Sequence, residues 1–199
     1  MQKFSALCVS AILLGICTLD GIAQDRTRET MIDERFSVSE GGMLEVNASD
    51  ADVTVTAGQS KDAHVRVVLE GRDMEKARDY YEHQNITVTK SGNTIRVDSK
   101  PESHNFNWRD WRNHPHIDIQ ISVPEVFDAD IRSSDGDLAL DRLRGDVKMK
   151  TSDGDVSANK IEGGTISIRT SDGDISVGPL TGDMVELVTS DGDLVLGDV

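Results

Sequence analysis

Eight aspartates recur in a fixed relation to a glycine. TSDGD stands at 151–155, 170–174 and 189–193, and SSDGD at 133–137; the aligned serines Ser134, Ser152, Ser171 and Ser190 are 18, 19 and 19 residues apart. The copies supply the pairs Asp135 and Asp137, Asp153 and Asp155, Asp172 and Asp174, and Asp191 and Asp193. Three chemistries use such a set. Asp-Gly is a turn signal, because Gly takes φ > 0 at no steric cost and Asp bonds nearby backbone. A hard cation such as Ca²⁺ accepts the same oxygens. Two carboxylates can also act as an acid–base pair, but four equivalent copies argue against an active site, which needs one singular arrangement. An EF-hand loop beginning at Asp135 requires Gly sixth and Glu twelfth, where this chain has Leu140 and Asp146. The glycine-rich calcium nonapeptide has half this period. The turn and calcium readings remain, the latter with all eight aspartates as ligands.

Two other groups carry chemistry. HPHID at 114–118 sets His114, His116 and Asp118 on one face of a strand, the start of a zinc motif. The rest of that motif is missing: Ile119 and Gln120 follow Asp118, and no histidine stands after His116, leaving His104 as the available third imidazole. Trp108 and Trp111, with Phe106 and Arg109, form either a ligand or partner platform or a plug over one end of the fold.

The elements that must position these residues are mostly strands. Residues 36–58 alternate around turns at Gly41-Gly42 and Gly58, with SDAD at 49–52 a degenerate copy of SDGD. A strand is expected at 64–71. A short helix is expected at 73–84 with Asp73 as N-cap, and a hairpin at 86–98 turning at Ser91-Gly92-Asn93. Residues 100–116 have no strand pattern and read as a loop or flap.

From Ser134 onward each unit contains two strands of period 2. Leu138 and Leu140 align with Val156 and Ala158, Ile175 and Val177, and Leu194 and Leu196; Val147 and Met149 align with Ile166 and Ile168, and Val185 and Leu187. One such unit cannot bury its apolar face alone, so the units must stack. The predicted fold is all-β: a single-domain β-solenoid of 18–19-residue two-strand repeats (134–199), with the helix and hairpin inserted in the N-terminal half. Stacking sets equivalent aspartates about 4.8 Å apart. Neighbouring charges then repel by about 1 kcal/mol in water and about 3 kcal/mol at an effective dielectric near 20. Turn amides, the outward-facing Lys148, Lys150 and Arg169, or a bound cation are the available offsets.

The N-terminus sets the compartment. Lys3 precedes the apolar run Phe4–Leu19, and GIA at 21–23 suits cleavage after Ala23, so 1–23 is expected to be a secretory signal. A lipoprotein reading through Cys17 is disfavoured by the bulky Ile16. Residues 24–35 read as a flexible lead-in and 36–199 as the folded domain. Cys8 and Cys17 both fall in the signal, leaving the mature chain without thiol chemistry and without a transmembrane segment. With 21 Lys and Arg against 36 Asp and Glu, the net charge of −15 opposes binding to nucleic acid or anionic lipid.

FSVSEGGMLEVNASDADVTVTAG, ISVPEVFDADIRSSDGDLAL and the serial TSDGD units resemble the bacterial putative-adhesin family, a β-helical domain of cell-envelope proteins without an assigned function. The resemblance covers 36–199, with Val123-Pro124 followed by SSDGD as its most specific part. Ala51-Asp52 departs from the family's Gly-Asp. The resemblance implies an envelope location, periplasmic or surface, and a binding or scaffolding role, with no catalytic residues to carry over.

The expected function is therefore a non-enzymatic exported protein that adheres to or scaffolds polysaccharide or envelope protein. A calcium-dependent structural protein and a polysaccharide-active enzyme are the alternatives. DGDLVLGDV at the C-terminus is half a repeat, so either the natural chain continues or this end stacks on something. Self-association through 185–199 is expected, moderated by Asp191, Asp193 and Asp198.

Overall fold

A computed structural model describes residues 26–101 and 114–197. The predicted signal 1–23, with Cys17, lies outside the described residues, as do His104, Phe106, Trp108, Arg109 and Trp111. The strands are β1 (Thr27–Ser37), β2 (Gly42–Asn47), β3 (Ala51–Gly58), β4 (Asp62–Gly71), β5 (Thr87–Ser91), β6 (Thr94–Asp98), β7 (His116–Pro124), β8 (Phe127–Arg132), β9 (Leu138–Arg144), β10 (Val147–Lys150), β11 (Val156–Arg169), β12 (Ile175–Val177), β13 (Leu180–Val188) and β14 (Leu194–Leu196). The helix α1 spans Met74–Gln84. Among the described residues the protein is all-β apart from this helix.

All fourteen strands join one mixed sheet that nearly closes on itself, in the order β1-β4-β7-β3-β9-β11-β10-β8-β2-β6-β5, with β12 and β13 branching from β11 and β14 pairing on β12. Pairing is antiparallel between β1 and β4, β4 and β7, and β5 and β6, and parallel elsewhere. The long strand β11 makes the closure possible. Its first residues, Val156–Ala158, pair with β9 and β12, whereas Ile166–Arg169 pair with β10 and β13. The sheet therefore has two walls, one around β3, β9 and β12 and the other around β8, β10 and β13.

Repeat positions pair with their equivalents. Leu138 meets Val156, which meets Ile175, which meets Leu194; Val147 meets Ile166, which meets Val185. With a side-chain period of 2, this register sends every aligned apolar residue to the same side. Val53, Leu138, Val156 and Ile175 from one wall, and Leu44, Ile131, Met149 and Ile168 from the other, share one buried core.

The helix begins where its cap predicts: Asp73 accepts from the Lys76 amide at 3.4 Å, and Asn85 closes the far end with φ 47° and ψ 47°. Ala77 is buried against the core. The hairpin pairs Ser91 with Thr94.

Residues 27–35 correct the expected lead-in. They form most of β1, an edge strand paired with β4. Most of the strand is exposed, so it lacks apolar alternation; Met31, Ile32 and Phe36 pack on the core. Cross-strand polar contacts help to hold it: Arg28 Nε lies 2.7 Å from Glu70, and Asp33 is hydrogen-bonded to His64 at 2.7 Å. Hydrophobic periodicity cannot register a strand held this way. Among the described residues no helix is long and apolar enough to cross a membrane.

Candidate functional site

Each TSDGD segment is the turn that carries the chain from one wall to the other, and the copies stack as rungs. In the copies at 151–155 and 170–174 the threonine is buried, and its hydroxyl works in both directions. Thr151 Oγ1 accepts from the Gly154 amide at 3.4 Å and lies 3.1 and 3.2 Å from the Ser134 and Gly136 carbonyl oxygens, to which it donates. Thr170 repeats this with Gly173, Ser152 and Gly154. Ser133 takes the same place in the SSDGD copy, accepting from Gly136 at 3.1 Å. The serine and first-aspartate amides of one rung donate to the serine carbonyl of the rung before, as Ser152 and Asp153 do to Ser134.

The glycine is required for space rather than for φ > 0. Among the described residues the glycines with positive φ are Gly41 and Gly92, neither of them in a TSDGD turn. A Cβ on Gly136 would sit 1.9 Å from the Ala51 carbonyl oxygen, one on Gly154 2.1 Å from that of Gly136, and one on Gly173 1.9 Å from that of Gly154. The rungs are in backbone contact at this residue. Ala51 stands at the glycine place of the first rung, where no earlier TSDGD turn crowds its Cβ, and this explains the departure from Gly-Asp.

The two aspartates of each motif play different parts. The second ones form a ladder of carboxylates accepting amides: Asp137 N–H donates to Asp52 Oδ1 at 2.9 Å, Asp155 to Asp137 at 2.8 Å, Asp174 to Asp155 at 2.8 Å and Asp193 to Asp174 at 2.7 Å. The degenerate SDAD copy is thus a true rung through Asp52. The first ones, Asp135, Asp153, Asp172 and Asp191, are exposed like the second but take no part in this amide ladder.

Of the three available offsets, the basic side chains do not serve the ladder. Lys148 and Lys150 point outward and form no ion pair among the described residues, while Arg169 binds Glu186 at 2.6 Å. Backbone amides, not side-chain cations, answer the second-aspartate column. For calcium, the eight aspartates Asp135, Asp137, Asp153, Asp155, Asp172, Asp174, Asp191 and Asp193 are placed as two separate columns. No group of three or more His, Cys, Asp or Glu among the described residues is arranged to hold a metal. The thermal melt is therefore expected to be the same in chelator and in excess calcium, with magnesium as the ionic-strength control. A calcium-specific rise in Tm would assign the ladder to a cation instead, because a ligand stabilises by binding the folded state better.

The ladder begins in a cluster of titratable groups that sequence reading did not assemble. Tyr80 of α1 donates to Asp50 Oδ2 at 2.9 Å and meets the His114 ring edge-on at 4.8 Å. A hydrogen bond to Asp50 holds the Asp135 carboxyl above the usual carboxylate range, and burial and the Asp50 and Asp153 charges add to it. Burial, then Asp50, raises the Tyr80 hydroxyl well above its ordinary value. The signal available in the sequence was the Asp50 of SDAD; nothing there linked it to Tyr80.

The three HPHID residues have separate partners. His116 Nε2 lies 3.1 Å from Asp52 Oδ2, and this hydrogen bond raises the imidazole pKa against the opposing effect of burial. Burial pushes the Asp52 carboxyl up, but hydrogen bonds from His116 and the Asp137 amide outweigh it and hold the group below its ordinary value. His114 Nδ1 lies 2.7 Å from the Pro115 carbonyl oxygen, and Asp118 accepts from Gln120 at 2.6 Å.

This rung geometry accompanies a family assignment. The sequence profile of Toastrack DUF4097 matches residues 42–199, and no curated protein matches the chain significantly. Solved structures with a similar course include a putative cell adhesion protein from Clostridium sporogenes, 11% identical over 85% of this chain and 99% of that one, with TM-score 0.47. A putative adhesin from Bacteroides fragilis is 10% identical over 84% and 96%, with TM-score 0.33. A putative lipid binding protein from Parabacteroides distasonis is 12% identical over 86% and 95%, with TM-score 0.30. The profile spans most of the chain, rungs included, and the chain belongs to the Toastrack DUF4097 family.

Proposed function

We propose that this chain is an exported, non-enzymatic envelope protein whose stacked repeats form a β-solenoid scaffold with an adhesive outer wall. The observation that carries this reading is the division of labour inside the repeat. Thr, Gly and the second Asp of each rung are used up in holding the stack, which leaves the outer walls for recognition. On the wall of β3, β9, β11 and β12, the exposed or half-exposed Thr54, Ala139, Ser157 and Ser176 stand in one row across paired strands. With Asp141 and Asn159 they line a shallow groove of about 450 Å³. Such a row repeats about every 4.8 Å, a spacing suited to an extended polymer such as an envelope polysaccharide. The acidic surface suits a neutral or basic chain over an anionic one.

Binding of labelled protein to whole cells, purified envelope polysaccharides and envelope proteins tests the reading. Ser157→Arg in the groove is expected to weaken binding about tenfold or more, while Lys148→Glu on the opposite wall leaves it unchanged. Failure to bind any of the three would end the adhesion reading. Hydrolysis of an acidic polysaccharide would favour an enzyme in its place.

A further inference from the structure

The chain has 36 Asp and Glu against 21 Lys and Arg, yet one hollow of its surface is lined by two arginines and a histidine and by no acidic residue. The hollow measures about 470 Å³ and lies on the outer face of β1, β4, β7 and β3, where Arg35, His64 and Arg66 meet the neutral Thr54, Gln120 and Ser122. The groove beside it includes Asp141, and a third hollow, near Val38, includes Glu40 and Glu125. Asp33 stands across the strands from Arg66 but does not line the basic hollow. It is held by His64 at 2.7 Å and by Arg66 at 3.3 Å, so it offsets part of the Arg66 charge. Arg35 is exposed and enters no ion pair among the described residues, which leaves its planar fork of donors open.

The hollow adjoins the groove of β3, β9, β11 and β12, because Thr54 lines both. One row of paired residues runs through the two: Arg66, Gln120, Thr54, Ala139, Ser157 and Ser176. Five strand spacings of about 4.8 Å make this row about 24 Å long. Beside it, Arg35 pairs with His64, His64 with Ser122 and Ser122 with Thr56. From Gln120 to Ser176 the first row is uncharged, so the cationic groups gather at one end of a neutral track.

The geometry points to a subsite for one oxyanion, a carboxylate or phosphate substituent on a saccharide chain, held by Arg35 and Arg66 while the neutral part of the chain lies along the row. A guanidinium takes either anion through two parallel N–H donors, and the Thr54 and Ser122 hydroxyls add donors at the rim. The net charge of −15 sets the spacing of such substituents on the ligand. A dense polyanion is repelled by the rest of the surface, so the fitting chain is mostly neutral and carries its anions sparsely. This inference deepens the adhesion reading and rests on it for the saccharide, not for the anion.

Titration of the full chain with acetate and, separately, with inorganic phosphate at constant ionic strength is followed by NMR of the arginine Nε–H groups. Arg35 and Arg66 are expected to shift saturably with one of the two anions, with half-saturation at about 1–10 mM, the weak end of the affinity scale. Arg35→Gln should weaken this about tenfold with unchanged circular dichroism, while Lys148→Gln, which removes the same charge from the other wall, leaves it unchanged. For an envelope polysaccharide that the parent binds, Arg35→Gln should weaken binding about tenfold. Amidating the carboxylates of that polysaccharide, or removing its phosphates, should do the same, and the effective treatment identifies the anion. Absence of saturable shifts with both anions overturns the subsite, as does an equal loss with Lys148→Gln. Polysaccharide bound alike by the parent and Arg35→Gln would overturn the subsite and leave the adhesion reading standing. The expected anion shifts with no envelope polysaccharide bound would overturn the adhesion reading and, with it, the saccharide ligand.

Discussion

Gly154→Ala is expected to lower the free energy of unfolding by about 3 kcal/mol, near the top of the range for overpacking. The added Cβ would meet the Gly136 carbonyl oxygen at 2.1 Å and its carbon at 2.6 Å. Both are backbone atoms held by paired strands on either side, so no side chain can swing away to relieve the contact. Gly173→Ala should behave alike, since its Cβ would come 1.9 Å from the Gly154 carbonyl oxygen. Urea unfolding followed by circular dichroism measures the loss. A change below about 0.5 kcal/mol, typical of neutral surface substitutions, would mean that the rungs are not in contact at this residue.

Thr170→Val should cost about 2 kcal/mol although it preserves volume, because it strands groups that water cannot reach. The buried hydroxyl now accepts from the Gly173 amide at 3.3 Å and lies 3.2 and 3.1 Å from the Ser152 and Gly154 carbonyl oxygens. Thr170→Ser, which keeps the oxygen and mimics the natural Ser133, should recover most of the loss. Asp172→Asn and Ser171→Ala, at exposed positions in the same motif, should stay within about 0.5 kcal/mol of the parent. Equal losses at Thr170 and Asp172 would contradict the division of roles within the rung.

Much of the architecture is legible in the chain itself. Period-2 apolar residues recurring every 18–19 positions place Leu138, Val156, Ile175 and Leu194 in one file, and the strands pair in that file. The Asp73 cap and the Ser91-Gly92-Asn93 turn locate the helix and the hairpin because both are local devices. The edge strand β1 was not legible. It is stabilised by pairing to β4 and by cross-strand hydrogen bonds such as Asp33 with His64, residues 31 apart, and leaves no apolar rhythm.

The repeat also hides its own chemistry. In SDGD the two aspartates look alike and both are exposed, yet Asp155 accepts the Asp174 amide while Asp153 takes no place in that ladder. Which carboxylate is used depends on how one rung sits over the next, and the glycine's role depends on the same contact. The Tyr80–Asp50–Asp135 cluster likewise joins α1 to the first two rungs across 30 residues or more. Hydrophobic period, turn residues and caps are local properties, so amino-acid order alone was enough to specify the all-β class, the repeat and the strand file. Closure of the sheet through β11 and the hydrogen-bond partner of each aspartate arise from contacts between distant segments, and these exist only once the stack has formed.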